Sequence, residues 1–87
     1  MQSEEAFWYV YILQCENDSF YVGISTNVHQ RFLMHQSERG AVFTRKFSPV
    51  SILWQEKHNS RASAHRRERQ IKGWSRVKKK ALISGII

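Results

Sequence analysis

The stretch Trp8 to Gly23, WYVYILQCENDSFYVG, limits the possible folds of this chain more than any other. Two short runs rich in β-branched and aromatic residues, Tyr9 to Leu13 and Phe20 to Ile24, flank the polar cluster Glu16, Asn17, Asp18 and Ser19, which is a β-hairpin pattern. A two-residue turn at Asn17 and Asp18 would pair Glu16 with Ser19 and set Tyr11 opposite Ile24, dividing the tyrosines of the two strands between opposite faces. A three-residue loop would instead pair Cys15 with Ser19, Tyr11 with Gly23 and Leu13 with Tyr21. Val10, Ile12, Phe20, Val22 and Ile24 would then share the other face. The second register is expected, because it separates an aliphatic face from a tyrosine face and a one-residue slip would mix them. Phenols beside the bare backbone of Gly23 mark a candidate site.

After Ser25 the pattern becomes helical over about 27–37, with Thr26 or Asn27 as cap and Val28, Phe32 and Leu33 as the apolar stripe. Arg31 and His35 are four apart and project from one face of that helix, next to Phe32. Gly40 ends it, and Glu38 to Phe47 is expected to be an irregular loop. There Arg39, Arg45 and Lys46 interleave with Phe43 and Phe47, a combination suited to phosphate contacts beside base stacking. Val50, Ile52 and Trp54 alternate with Ser51, Leu53 and Gln55, which predicts a third strand after Pro49.

A second helix is expected from Asn59 or Ser60 to about Lys72, with Gly73 as its C′ residue. Ala64, Glu68 and Ile71 fall on its inner side, and Arg61, Arg66, Arg67, Arg69 and Lys72 on the rest. Glu68 is the sole carboxylate of this basic helix; an ion pair with Arg61 or Lys72 at helical spacing is the plain account of it. Ser75 caps a short last helix with Val77, Ala81 and Leu82 directed inward and Arg76, Lys78, Lys79 and Lys80 outward, and Gly85 ends it. The fold class is therefore α/β of the α+β kind: a small three-stranded, mainly antiparallel sheet with flanking helices in the order β-β-α-β-α-α.

At 87 residues the chain is expected to form one domain, 1–87, burying roughly 60–65% of its unfolded surface. No apolar run approaches the roughly 18 residues of a membrane span, and the N-terminus lacks a signal-peptide pattern, so a soluble cytoplasmic protein is expected. A single Cys15 allows no internal disulfide, and His29, His35, His58 and His65 do not form a zinc spacing. His58 is expected on a loop surface, and His29 and His65 on helix surfaces. The oligomeric state is open, although exposed Trp8, Trp54 or Trp74 could support a dimer. Fourteen Lys and Arg against seven Asp and Glu give a formal charge of +7, with most of the excess between Arg39 and Lys80. A polyanion is the natural partner, nucleic acid before membrane surface. Arg39, Arg45, Lys46, Arg67, Lys72, Lys78 and Lys79 are the candidate contacts.

Tyr9-Val10-Tyr11, nine intervening residues, Tyr21-Val22-Gly23, then Arg31, His35 and a lone Glu68 together resemble the GIY-YIG nuclease family. The closest resemblance is to its small stand-alone members, related to the N-terminal nuclease domain of excision-repair enzymes, and it covers Trp8 to Leu82. It implies a metal-dependent endonuclease hydrolysing DNA phosphodiester bonds, structured or damaged DNA with little sequence specificity. In that reading Tyr11, Tyr21, Arg31, His35 and Glu68 are catalytic, and Glu68 holds one Mg2+ or Mn2+ ion. The alternative is a catalytically weak nucleic-acid-binding module that keeps the fold and acts with a protein partner. Three positions depart from the family pattern. Tyr9 stands where the family has Gly, Ile24 where repair members carry Lys, and no Asn follows Glu68.

Overall fold

The computed structural model describes residues 6–37 and 48–87. Its elements run β1 (Trp8–Cys15), β2 (Phe20–Ser25), α1 (Val28–Gln36), β3 (Pro49–His58), α2 (Arg61–Lys72) and α3 (Arg76–Ile83), the expected order. The loop expected at Glu38 to Phe47, with Arg39, Arg45 and Lys46, lies outside the described residues.

The hairpin closes in the register that separates the two faces. Tyr11 pairs with Gly23 and Leu13 with Tyr21. The Cys15 N–H donates to the Ser19 carbonyl at 2.9 Å, and the Asp18 N–H to the Cys15 carbonyl at 2.8 Å. Asp18 takes φ 68°, a left-handed conformation that the short polar side chain of Asp tolerates, and this residue completes the three-residue loop. Asn17 Oδ1 holds the loop by accepting from the Ser19 hydroxyl at 2.6 Å and the Ser19 N–H at 3.2 Å.

The sheet is antiparallel throughout, in the order β2-β1-β3, so β1 is flanked on both sides. One face carries Val10, Ile12 and Val22, which pack with Ala64 and Ile71 of α2 and Leu82 of α3. The opposite face carries Tyr11 and Leu13, packed with Val28 of α1 and bordered by Tyr9, Tyr21, Phe32 and Ile52. Period-two alternation in the hairpin thus builds two small cores on one sheet.

β3 departs from its simple alternation. Ile12 pairs with Trp54 but Leu13 pairs with Ile52, so Leu53 is skipped as a bulge, and a second shift passes over Val50. Ile52 and Trp54, expected on one face, consequently lie on opposite faces: Ile52 joins the tyrosine side and Trp54 the aliphatic side. An extra residue on one strand reverses the alternation beyond it. Trp8, Trp54 and Trp74 are not free surface rings; all three are partly buried against the aliphatic core.

The helices start where their caps require. Asn27 Oδ1 accepts from the Gln30 N–H in α1, Ser60 Oγ from the Ser63 N–H in α2, and Ser75 Oγ from the Lys78 N–H in α3. Gly73 ends α2 as its C-cap, but with φ −81°, so no left-handed residue is used there. Gly85, with φ 79°, is the left-handed residue that ends α3. Ile86 N–H bonds Ala81 O and Gly85 N–H bonds Leu82 O, the paired bonds of a Schellman cap.

Three further expectations about side chains fail, the first being Leu33, which was expected in the apolar stripe of α1 and is 49% exposed. Val77 is 78% exposed, since it lies five residues before the buried Leu82, roughly 140° around the helix at about 100° per residue. His58 is the last residue of β3 and partly buried, with Nδ1 2.6 Å from Ser63 Oγ and Nε2 2.8 Å from Glu56 Oε1. Glu56 and His58 are two apart on one strand and therefore share a face, which puts the imidazole between the carboxylate and the start of α2. Among the described residues no helix is long and apolar enough to cross a membrane.

Candidate active site

The tyrosine face is where four of the five candidate residues meet. β1 brings Tyr11, β2 brings Tyr21, and α1, capped at Asn27 and seated by Val28, brings Arg31 and His35 across them. Tyr11 is 2% exposed and His35 1% exposed, while Tyr21 and Arg31 are only partly buried. The Tyr11 hydroxyl lies 3.3 Å from His35 Nε2. The Tyr21 ring meets the imidazole edge-on with centroids 4.9 Å apart, and the two phenol rings are 6.3 Å apart. His35, four residues from Arg31, is thus no solvated edge residue but the buried centre of an aromatic cluster.

Gly23 has a definite steric reason. A Cβ there would stand 2.6 Å from the Tyr11 hydroxyl oxygen, 2.8 Å from Tyr11 Cζ and 3.0 Å from Tyr21 Cε1. The Tyr11 ring lies across the bare glycine of the partner strand, so the phenol can reach His35 only if residue 23 lacks a side chain. This is cross-strand packing of an aromatic ring on a strand glycine.

Glu68 comes from α2, whose Ala64 and Ile71 pack on the aliphatic face of β1 and β2. Its side chain is 12% exposed, with Oε2 3.2 Å from Lys72 Nζ and Oε1 4.0 Å from His65 Nε2. The ion pair expected at helical spacing therefore forms with Lys72. The Glu68 carboxylate also acts on the tyrosines, since its charge helps to raise the pKa of both phenols.

The electrostatics of the cluster follow from burial. Desolvation is the main cause that pushes the Tyr11 phenol well above its usual range; Tyr21 and Glu68 add to it and Arg31 opposes it. Tyr21 is also raised, by burial first and by Glu68 next, with Arg31 again opposing. His35 is lowered below 6.5 by burial and by the neighbouring Arg31. At neutral pH both phenols hold their protons and His35 is uncharged. Arg31 is the cation that all three groups feel.

Of the remaining basic candidates among the described residues, Arg67, Lys72 and Lys78 already have partners. Arg67 donates through Nε to Glu56 Oε1 at 3.1 Å and through a terminal nitrogen to Gln70 Oε1 at 2.7 Å. Lys78 lies over the Trp74 ring at 4.3 Å, Lys79 is partly buried, and Lys72 is held by Glu68. Gln55 was not singled out from the sequence, yet it pairs with Tyr11 across β1 and β3; the bulge at Leu53 hid its register. The Glu56–His58–Ser63–Arg67 network was missed as well, although the two-residue spacing of Glu56 and His58 on a strand was a usable signal.

A sheet of this order, with two phenols, a guanidinium and a carboxylate gathered from four elements, defines a small nuclease-type catalytic domain. The GIY-YIG catalytic domain model matches residues 7–81, and the chain belongs to the GIY-YIG family, a family of nucleases. It is 39% identical over 79 residues to a UPF0213 protein of Cupriavidus necator, covering 91% of this chain and 86% of that one. A UPF0213 protein of Natronomonas pharaonis is 40% identical over 76 residues, covering 87% and 89% respectively. The solution structure of the UPF0213 protein from Bacillus halodurans superposes with a TM-score of 0.58 at 38% identity, covering 90% of this chain and 83% of that one.

Proposed function

We propose that the protein is a divalent-metal-dependent endonuclease that hydrolyses phosphodiester bonds in DNA, with structured or damaged DNA as substrate and little sequence specificity. What supports this is the meeting of Tyr11, Tyr21, Arg31 and His35 on one face of the sheet, with the charge of Glu68 from α2 acting on both phenols. A binding surface needs basic residues; it does not need a carboxylate whose charge reaches two phenols.

Glu68 suits magnesium or manganese as a hard oxygen ligand. Among the described residues no three His, Cys, Asp or Glu side chains gather around one point, so an ion there would keep most of its shell as water and phosphate oxygens. When bound, such an ion polarises the phosphoryl group and stabilises the leaving oxygen. Lys72 must yield the Glu68 carboxylate, and until then its ammonium, 3.2 Å from Oε2, holds that carboxylate in place. Arg31 balances charge on the non-bridging oxygens of the phosphate.

Tyr21 is the phenol that faces the attacking water, because Tyr11 and His35 are almost wholly buried and Tyr21 is not. His35, uncharged, offers a ring nitrogen to the Tyr11 hydroxyl. That contact fixes Tyr11 against Gly23, and Tyr11 in turn packs against Tyr21. The second reading, a weakly catalytic binding module acting with a partner, draws on the Lys72–Glu68 pair, which already neutralises the proposed metal ligand.

Cleavage of plasmid and branched DNA with and without magnesium or manganese separates the two. We expect metal-dependent cutting that falls roughly 10²- to 10³-fold in Glu68→Ala and in Arg31→Ala, the usual loss for one preorganised charged group. DNA affinity should fall far less than cutting in Arg31→Ala. Cutting that survives Glu68→Ala removes Glu68 from the mechanism, and binding without cutting under either metal favours the module.

A further inference from the structure

We propose that a cavity beside the catalytic cluster receives an unpaired base of the DNA, from the nucleotide next to the cleaved phosphate, with Tyr9 as its stacking platform. This rests on the nuclease reading above and adds a base subsite to it. The cavity, of about 580 Å³, is lined by Tyr9, Val28 and Ile52 and rimmed by Asn27, His29 and Gln55.

Its place on the sheet is the first argument. Tyr9, Tyr11 and Leu13 point to one face of β1; Tyr11 and Leu13 are buried there, while Tyr9 stays partly exposed beside the first residue of α1. A large flat ring is thus left partly uncovered along the same face as the reacting groups. Tyr9 and Tyr11 are separated by about 7 Å along the strand, on the order of one nucleotide step in a stretched single strand. Tyr21 pairs with Leu13, but its ring leans back over Gly23, the cross-strand partner of Tyr11, so a phosphate at Tyr21 and Arg31 would bring a neighbouring base within reach of Tyr9.

The chemistry of the lining is the second argument. The floor is aromatic and aliphatic, which suits the face of a base, and the rim supplies side-chain amides, which suit base edges. Asn27 Oδ1 is used by the Gln30 N–H, which leaves its NH2 group to donate. Lys57 pairs with Tyr9 across β1 and β3 and holds its Nζ 3.9 Å over the Phe7 ring, which places a cation on the strand next to Tyr9. A base still paired within a duplex has no free face for such a cavity, so the occupant is an unpaired nucleotide.

The test measures binding by Glu68→Gln protein to two duplexes that differ only in one unpaired 2-aminopurine nucleotide, read by affinity and by the fluorescence of that base. Stacking on Tyr9 should quench the fluorescence. Adding Tyr9→Ala should remove the quenching and weaken binding to the duplex with the unpaired base by roughly tenfold, the usual effect of losing one stacked ring, with little change for the fully paired duplex. Tyr9→Phe keeps the ring and should keep both signals, which separates stacking from loss of fold. Gln55→Ala should preserve quenching while reducing discrimination among bases. Equal loss on both duplexes, or quenching that persists in Tyr9→Ala, overturns the subsite. Cutting by the wild type is scored separately: cutting without a Tyr9-dependent base signal overturns the subsite alone, and base stacking without cutting under either metal overturns the nuclease reading alone.

Discussion

His35 shows how much one buried side chain decides. Its spacing from Arg31 was visible in the sequence, but spacing alone is equally compatible with two solvated side chains; only the packing of α1 on the tyrosine face buries the ring beside Tyr11. Burial and Arg31 lower its pKa below the usual 6.5, so the folded state binds the proton less well than the unfolded chain. The stability that His35 contributes is therefore present above about pH 6.5 and is lost as the pH falls below it toward the folded-state pKa. Urea denaturation between pH 7.5 and 5 should show that decline, and His35→Phe should reduce its slope; an unchanged slope would assign the decline to other groups. Gly23 teaches a related lesson. Its bareness beside the phenols was legible as the mark of a site, yet what requires it is the Tyr11 phenol from the neighbouring strand, which occupies the space over it.

The elements were largely legible because each carries its own local signal. Asn27, Ser60 and Ser75 cap helices that begin at the next residue, and the polar cluster Glu16 to Ser19 forms the loop that its composition predicts. β3 is the exception, because a bulge depends on the partner strand and leaves no trace in a simple alternation of apolar residues. α3 shows the same limit, since an apolar residue in a helix is inward only if its angle matches the face that packs. Ile71, fully buried where α2 meets the sheet, and Val77, exposed on α3, make a contrasting pair. Ile71→Ala should cost about 2–5 kcal/mol of stability, measured by chemical denaturation, because it leaves a cavity in a small core. Val77→Ala should stay within about 0.5 kcal/mol. Since Glu68 is on the same helix as Ile71, loosening α2 should also weaken the metal-dependent cutting proposed for the protein.

At the scale of the whole molecule, a formal charge of +7 on 87 residues makes binding to a polyanion strongly salt dependent. DNA affinity should fall linearly on a log–log plot against salt, and Lys78→Ala should flatten the slope by about one if that lysine meets a phosphate. An unchanged slope would leave Lys78 to its contact with Trp74. Residue order by itself determined the hairpin register, the order of elements, the caps and the group of residues that carries the family pattern, because these depend on local conformational preference and on the two periods of strand and helix. The tertiary structure decided which side of the sheet each helix covers. It also decided that His35 is buried and uncharged, that Tyr11 fills the space over Gly23, and that Tyr9 is only partly covered beside the site. Those outcomes depend on contacts between residues far apart in the chain, where packing and desolvation choose among arrangements that local sequence permits equally.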